Sequence, residues 1–156
     1  MFKLKSLFRP AKYDDFNRLQ CRRIADSSYK NIAFPLGCSH SEFQMSCDDR
    51  EIALLDRKKN LIGFVRVKSI MSSHIYLDYF CIQDTNACAK SLTELQNHLL
   101  HSYKVKKFFI QLLEGEKLEQ QTLEENQFKR EASLSQHIWL NGAYKDVYIY
   151  GSPLYV

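Results

Sequence analysis

Only three prolines and five glycines punctuate the 156 residues, and they nowhere gather with serine into a linker. There is no low-complexity stretch and no internal repeat. A single domain over residues 1–156 is therefore expected, since domains run to roughly 100–200 residues. Charge recurs too often for any apolar run to approach the ~20 residues that cross a bilayer, so no membrane partner is expected. The opening, Met1 to Pro10, is basic but interrupted by Lys3, Lys5 and Arg9. It lacks the apolar core of about 7–15 residues that a secretory leader carries. These absences point to a cytoplasmic protein.

Catalytic fingerprints are missing as well. There is no P-loop, no dinucleotide-binding glycine pattern and no Gly-x-Ser-x-Gly elbow. Cysteine is uninformative: Cys21, Cys38, Cys47, Cys81 and Cys88 are odd in number and irregular in spacing, which suits reduced thiols better than a disulfide framework. Cys38-Ser39-His40 with Cys47 hints at zinc, but a structural site needs four ligands in paired clusters, and no second pair follows. No metal is expected. His98 and His101 share a helix face without a nearby acidic ligand, and they argue little for one.

What the chain does have is uneven charge. Residues 1–30 carry eight basic side chains against Asp14, Asp15 and Asp26, a net of +5, while the remainder sums to −1. A solvated helix face is the first explanation for this, ahead of an anionic small ligand or nucleic acid. A basic nucleic-acid or ribosome-associated domain would rest on that charge alone. Ten Phe and nine Tyr could mimic base-stacking platforms, yet most lie in strands, where core burial accounts for them, and no RNP-like string is present. Nucleic acid is not the expected partner.

Periodicity gives the elements. Phe2 and Leu4 alternate with Lys3 and Lys5 in a short strand that Arg9-Pro10 should end. Asp14 or Asp15 is placed to cap a helix through Phe16, Leu19, Cys21 and Ile24, and Ser39 or Ser41 to open another through Phe43 and Met45. Glu51–Leu55 and Leu61–Ser69 read as strands joined by a polar loop, and His74–Ile82 as a third, rich in aromatic and β-branched residues. Ala89, Leu92, Leu95, Leu99 and Leu100 then mark one face of a helix from about Asn86 to His101. Lys107–Leu113 is again an apolar strand, and Glu116–Asn126 is polar and helix-prone. Lys129–Leu140 and Ala143–Tyr150 flank Asn141-Gly142, a pair suited to a two-residue hairpin turn. The strand–helix–strand step at the centre implies one parallel pair in an otherwise antiparallel sheet. The fold class is α+β.

This order, with several residue strings, resembles the GNAT superfamily of acyl-CoA-dependent N-acyltransferases. The strings are Phe8-Arg9-Pro10-Ala11 with Asp14-Asp15, Arg23 to Tyr29, Phe128 to Ala132, and His137-Ile138-Trp139-Leu140-Asn141-Gly142-Ala143-Tyr144-Lys145-Asp146-Val147. The last is the most specific and is similar to the branch that includes ribosomal-protein N-terminal acetyltransferases. The resemblance covers nearly the whole chain. It implies a GNAT-like, mixed and mostly antiparallel sheet of about six or seven strands, flanked by helices and splayed at its centre.

The resemblance also implies a reaction: an acyl group passes from acetyl-CoA or another acyl-CoA to a primary amine by direct attack in a ternary complex. The acceptor would be an amine-bearing peptide or small molecule, and the protein a monomer or homodimer. Phe80, Cys81 and Ile82 fall on the strand that holds the pantetheine arm, and Gln83, Asn86, Ala87 and Cys88 on the loop that holds the pyrophosphate, with Lys90 within reach of it. Asn86 stands where the family has glycine, and Asn tolerates a left-handed turn better than most residues. Cys88 adds bulk to a position the family keeps small. The acceptor's proton would go to Asp78, on the same strand, with His74 as second candidate; a solvent-facing carboxylate and a structural histidine are the plainer readings. The family's Asn, Tyr and Gly-Phe after the fifth strand fall on Glu116, Leu123 and Gln127-Phe128, so the phenol that would protonate the thiolate is replaced. A thiolate leaves readily enough for solvent to protonate it. The alternative is a catalytically degenerate GNAT-like domain that binds a protein or an acyl-CoA.

Overall fold

The structure, a computed structural model, describes residues 6–12, 15, 51–71, 73–83, 85–140 and 142–155. The helices expected over 16–24 and 39–45, the Cys38/His40/Cys47 group and most of the basic 1–30 segment lie outside these residues.

Among the described residues, seven strands form one sheet in the order β1-β2-β3-β4-β5-β7-β6. They are β1 (Phe8–Pro10), β2 (Glu51–Leu55), β3 (Leu61–Met71), β4 (His74–Ile82), β5 (Lys107–Leu113), β6 (Lys129–Leu140) and β7 (Ala143–Gly151). The described helices are α1 (Thr85–Tyr103), between β4 and β5, and α2 (Lys117–Glu125), between β5 and β6. Every pairing is antiparallel except β4 with β5. Gly142 has φ +80°, which fits the tight β6–β7 turn.

Arg9 and Pro10, expected to stop the first strand, are instead its last two residues and pair with Ala53 and Ile52. β1 is the edge of the sheet, so a residue without an N–H is tolerated there. The Asp15 carboxylate reaches back to the Lys12 N–H at 2.6 Å and to the Arg9 guanidinium at 2.6 and 3.0 Å, tying the chain after β1 to that edge.

Alternation along the strands sends side chains to two clusters. The larger joins Leu54, Val65, Leu77, Phe80, Ile110, Leu112 and Tyr150 to Leu92, Leu95 and Leu99 of α1 and Leu123 of α2. A smaller one holds Phe64, Cys81, Leu113, Ile138 and Val147. The expectation of reduced thiols throughout fails at Cys81, which is disulfide-bonded, whereas Cys88 is fully buried in the main core. Among the described residues no helix is long and apolar enough to cross a membrane.

Candidate functional site

The site begins where β4 and β5 part. Their parallel register runs from His74↔Lys107 to Leu77↔Ile110 and stops, leaving Asp78–Ile82 and Gln111–Leu113 beyond it. On its other side β4 stays with β3, but between Phe64↔Cys81 and Arg66↔Asp78 it takes three steps to β3's two. That extra residue is a bulge, which bends a strand and re-aims its groups. Asp78 therefore stands at the mouth of the gap, directly across from Arg66, itself buried.

Hydrogen-bond direction alternates along a strand, so neighbouring amides identify the open edge. The Gln83 N–H donates to the Ile62 carbonyl on the β3 side at 2.8 Å. Ile82's N–H therefore faces the gap, and there it donates to Glu119 Oε1 of α2 at 3.3 Å. Across the gap, the Glu114 N–H donates to Asp146 on the β7 side at 3.0 Å, so Leu113's N–H faces β4. It donates to Glu116 Oε2 at 2.9 Å. Both carboxylate residues are buried. Gln111, the first β5 residue beyond the pairing, is buried too, and its Oε1 has no hydrogen-bond partner.

At the end of β4 the chain enters α1. Because Gly63 pairs with Ile82, the β2–β3 turn lies beside this entry. Together they enclose a groove of about 460 Å³ lined by Asp56, Arg57, Lys58, Asn60, Asn86 and Lys90, among others. Asp56 organises the turn: it accepts the N–H groups of Lys58 and Asn60 at 2.8 and 2.9 Å and the Asn60 amide at 3.1 Å. The Asn60 N–H foremost, with the Asn60 amide, the Lys58 N–H and the Lys58 charge, holds that carboxyl below its usual range. Lys59 takes φ +68° and donates to the Ser6 carbonyl at 2.6 Å, fastening the turn to the segment before β1. The groove thus collects three cations beside a helix N-terminus, where unpaired N–H groups and the helix dipole favour an anion.

The expected site residues fall into separate places. Asn86 and Lys90 are exposed in the groove, with Ala87 half-buried beside them, and Gln83 is exposed at the loop. Asn86 does not take the left-handed turn anticipated for it: it is the second residue of α1, and a right-handed helix holds φ negative. Cys88 does not crowd the groove. It is fully buried in the main core, its Sγ 2.8 Å from where a Cβ on Gly63 would lie. Phe80 and Ile82 are buried in the same core, and Cys81 in the smaller cluster. Tyr76 packs against the smaller cluster, so Tyr76 and Phe80 line different faces of β4. His74 lies at the closed end, its ring stacked on Phe109 at 5.9 Å and about 13 Å along the strand from Asp78 at 3.3 Å per residue. It is not brought together with the gap.

Sequence reasoning missed Arg57, Lys58 and Glu119. The first two were legible, since a hairpin turn must return to the same end of the sheet as the close of the next antiparallel strand. Glu119 was not, because its contact spans 37 residues.

No family model and no curated protein matches the chain. Solved structures do. A ribosomal-protein alpha-N-acetyltransferase, RimL, is 17% identical over 96% of this chain and 93% of its own, with a TM-score of 0.64. A Vibrio cholerae spermidine N-acetyltransferase, solved with CoA and spermine, is 18% identical over 96% and 95%, also at 0.64. A GNAT-family acetyltransferase from Bacillus anthracis is 11% identical over 92% of each chain, at 0.63. Enzymes for a ribosomal protein and for a polyamine match equally well, so the backbone alone does not select an acceptor. The parted β4 and β5, the mixed seven-stranded sheet and these likenesses together show that the chain has the fold of the GNAT N-acetyltransferases.

Proposed function

We propose that this chain transfers an acyl group, acetyl foremost, from acyl-CoA to a primary amine on a peptide or small molecule. The observation that carries the reading is the parting of β4 from β5 beside a basic groove at the start of α1. The residues present suit the co-substrate at both ends. Arg57, Lys58 and Lys90 offer charge to its phosphates, and the orphaned Gln111 Oε1 awaits an N–H donor of the kind an amide-bearing arm provides. The co-substrate would supply an activated thioester.

The chain's own part is to orient the acceptor and take its proton. An ammonium must be deprotonated before its nitrogen can attack, and Asp78, at the bulge, is assigned that role directly or through a water. His74, held at the closed end, is not. Leu123, where the family has its phenol, is fully buried in the main core, so the departing thiolate is protonated from solvent. That same residue favours a second reading, a domain that binds acyl-CoA without turnover.

Calorimetry with acetyl-CoA and longer acyl-CoAs tests the proposal. Micromolar to millimolar binding is expected, weakened about tenfold by Lys90→Glu and more steeply dependent on salt in the native protein than in that variant. Absence of heat and of thermal shift with every acyl-CoA would overturn it. Binding without thiol release over a panel of peptide amines and polyamines would select the second reading.

A further inference from the structure

We propose that Glu119 is a stopper: its carboxylate closes the open edge of β4, and an acyl-CoA must displace it to bind. The inference deepens the acyl-CoA reading above and rests on it. A pantetheine arm is an extended, amide-bearing chain, and lying along β4 it would seek the one resource a free strand edge offers, its outward N–H and C=O groups. Ile82's N–H is such a group, and Glu119 Oε1 holds it at 3.3 Å. The Glu119 side chain is only 1% exposed, so it fills the space it occupies rather than skirting it.

The stopper is held from behind. Glu119 lies in the first turn of α2, where the helix dipole favours a negative charge. Glu116, three residues earlier and so on the same face, occupies the matching N–H of Leu113 on the opposite strand. Gln120 Nε2 adds a bond to the Leu113 carbonyl at 3.4 Å. The start of α2 thus bridges the two strand ends that the parting leaves free. Charge adds to sterics, because a buried carboxylate beside the loop after β4 faces the same region as the diphosphate, and repulsion is stronger away from bulk water. The basic groove and the stopper therefore act in opposite directions on one ligand, the groove drawing its phosphates and Glu119 refusing its arm.

The test is acetyl-CoA affinity by calorimetry for the native chain, Glu119→Gln and Glu119→Ala, with amide exchange at Ile82 read alongside. Glu119→Ala frees both the space and the N–H, and should tighten binding about tenfold or more, the worth of a hydrogen bond to a charged group. Glu119→Gln keeps the shape and an acceptor but not the charge, so it should tighten binding a few-fold, more at low salt than at high. It also keeps the test alive if Glu119→Ala does not fold. Ile82's amide should exchange faster in free Glu119→Ala and regain protection when acetyl-CoA is added. Equal or weaker affinity in the variants, with the native chain binding well, would overturn the stopper and leave the acyl-CoA reading intact. No binding by any of the three would overturn both.

Discussion

Gly63→Ala tests whether the start of α1 is seated where the site requires. A Cβ at this position would lie 2.8 Å from Cys88 Sγ, 3.1 Å from the Cys81 carbonyl oxygen and 3.2 Å from Ile82 Cγ2. Non-bonded contacts are optimal near about 3.5–4.0 Å, so all three neighbours must give way. Cys88 is fully buried, and the Cys81 contact is backbone. Overpacking of this kind costs about 1–3 kcal/mol, offset by about 0.4–1 kcal/mol because alanine restricts the unfolded chain more than glycine does. The net, about 1–2 kcal/mol, lowers the melting temperature by roughly 2–8 °C for a chain of this length. Cys88→Ala alone should cost about 1 kcal/mol as a small cavity. Combined, the new methyl occupies the space the sulfur vacates, and the pair should be more stable than the sum of the singles by about 1 kcal/mol. Urea unfolding of the four proteins, followed by circular dichroism, completes the cycle. Strict additivity, or a Gly63→Ala protein as stable as the parent, would mean that α1 does not press on β3 at this point. The position of the groove would then be wrong as well.

Other outcomes follow from single contacts. Arg9→Ala should destabilise by about 3 kcal/mol in thermal or urea melts, because it leaves the buried Asp15 carboxylate without its two guanidinium bonds. Arg9→Lys should recover less than half of that, lacking the fork. Ser91→Ala should cost about 1 kcal/mol by the same measurement, since its hydroxyl joins α1 to β2 through the Leu55 carbonyl at 2.5 Å. Burial, foremost, raises the Tyr155 phenol above its ordinary value, against the hydrogen bonds of Ser152 and Gln96, which lower it. The neutral phenol is thus favoured in the fold: its contribution is complete below the unfolded value near about 10 and is lost as pH rises through the folded one. Tyr155→Phe should flatten the alkaline limb of a stability–pH profile, and an unchanged limb would refute that assignment.

Much of the fold was legible because strands and helices write their period locally. Glu51–Leu55, His74–Ile82, Lys107–Leu113 and Lys129–Leu140 carry the same bounds in sequence and structure. Asn86 was misjudged because the left-handed turn came from the resemblance, whereas the helical period of α1 begins one residue earlier, at Thr85. Segment 116–126 was the harder case. It is polar and acidic, the signature of a solvated helix, yet Glu116, Glu119, Gln120 and Thr122 are buried. No periodicity reveals that, because what buries them is the strand ends they cap, supplied by distant parts of the chain.

The departures from the family pattern around α2 then acquire a common cause. Taken singly, Glu116 in place of Asn and Leu123 in place of Tyr look like lost markers. In the fold they belong to one rearrangement of one short helix. Leu123, fully buried, anchors α2 in the main core from its last turn. That anchorage holds the first turn against the gap, where Glu116 takes the free amide of β5 and Glu119 that of β4. A tyrosine at 123 would carry a hydroxyl into that core and need a partner there, so the apolar residue and the inserted carboxylates support each other. Leu123→Tyr should therefore do more than fail to restore an acid. It should loosen α2 and expose Ile82's amide to exchange, as Glu119→Ala does. Exchange at Ile82 unchanged by Leu123→Tyr, in a variant that still folds, would separate the two ends of the helix and dissolve the common cause.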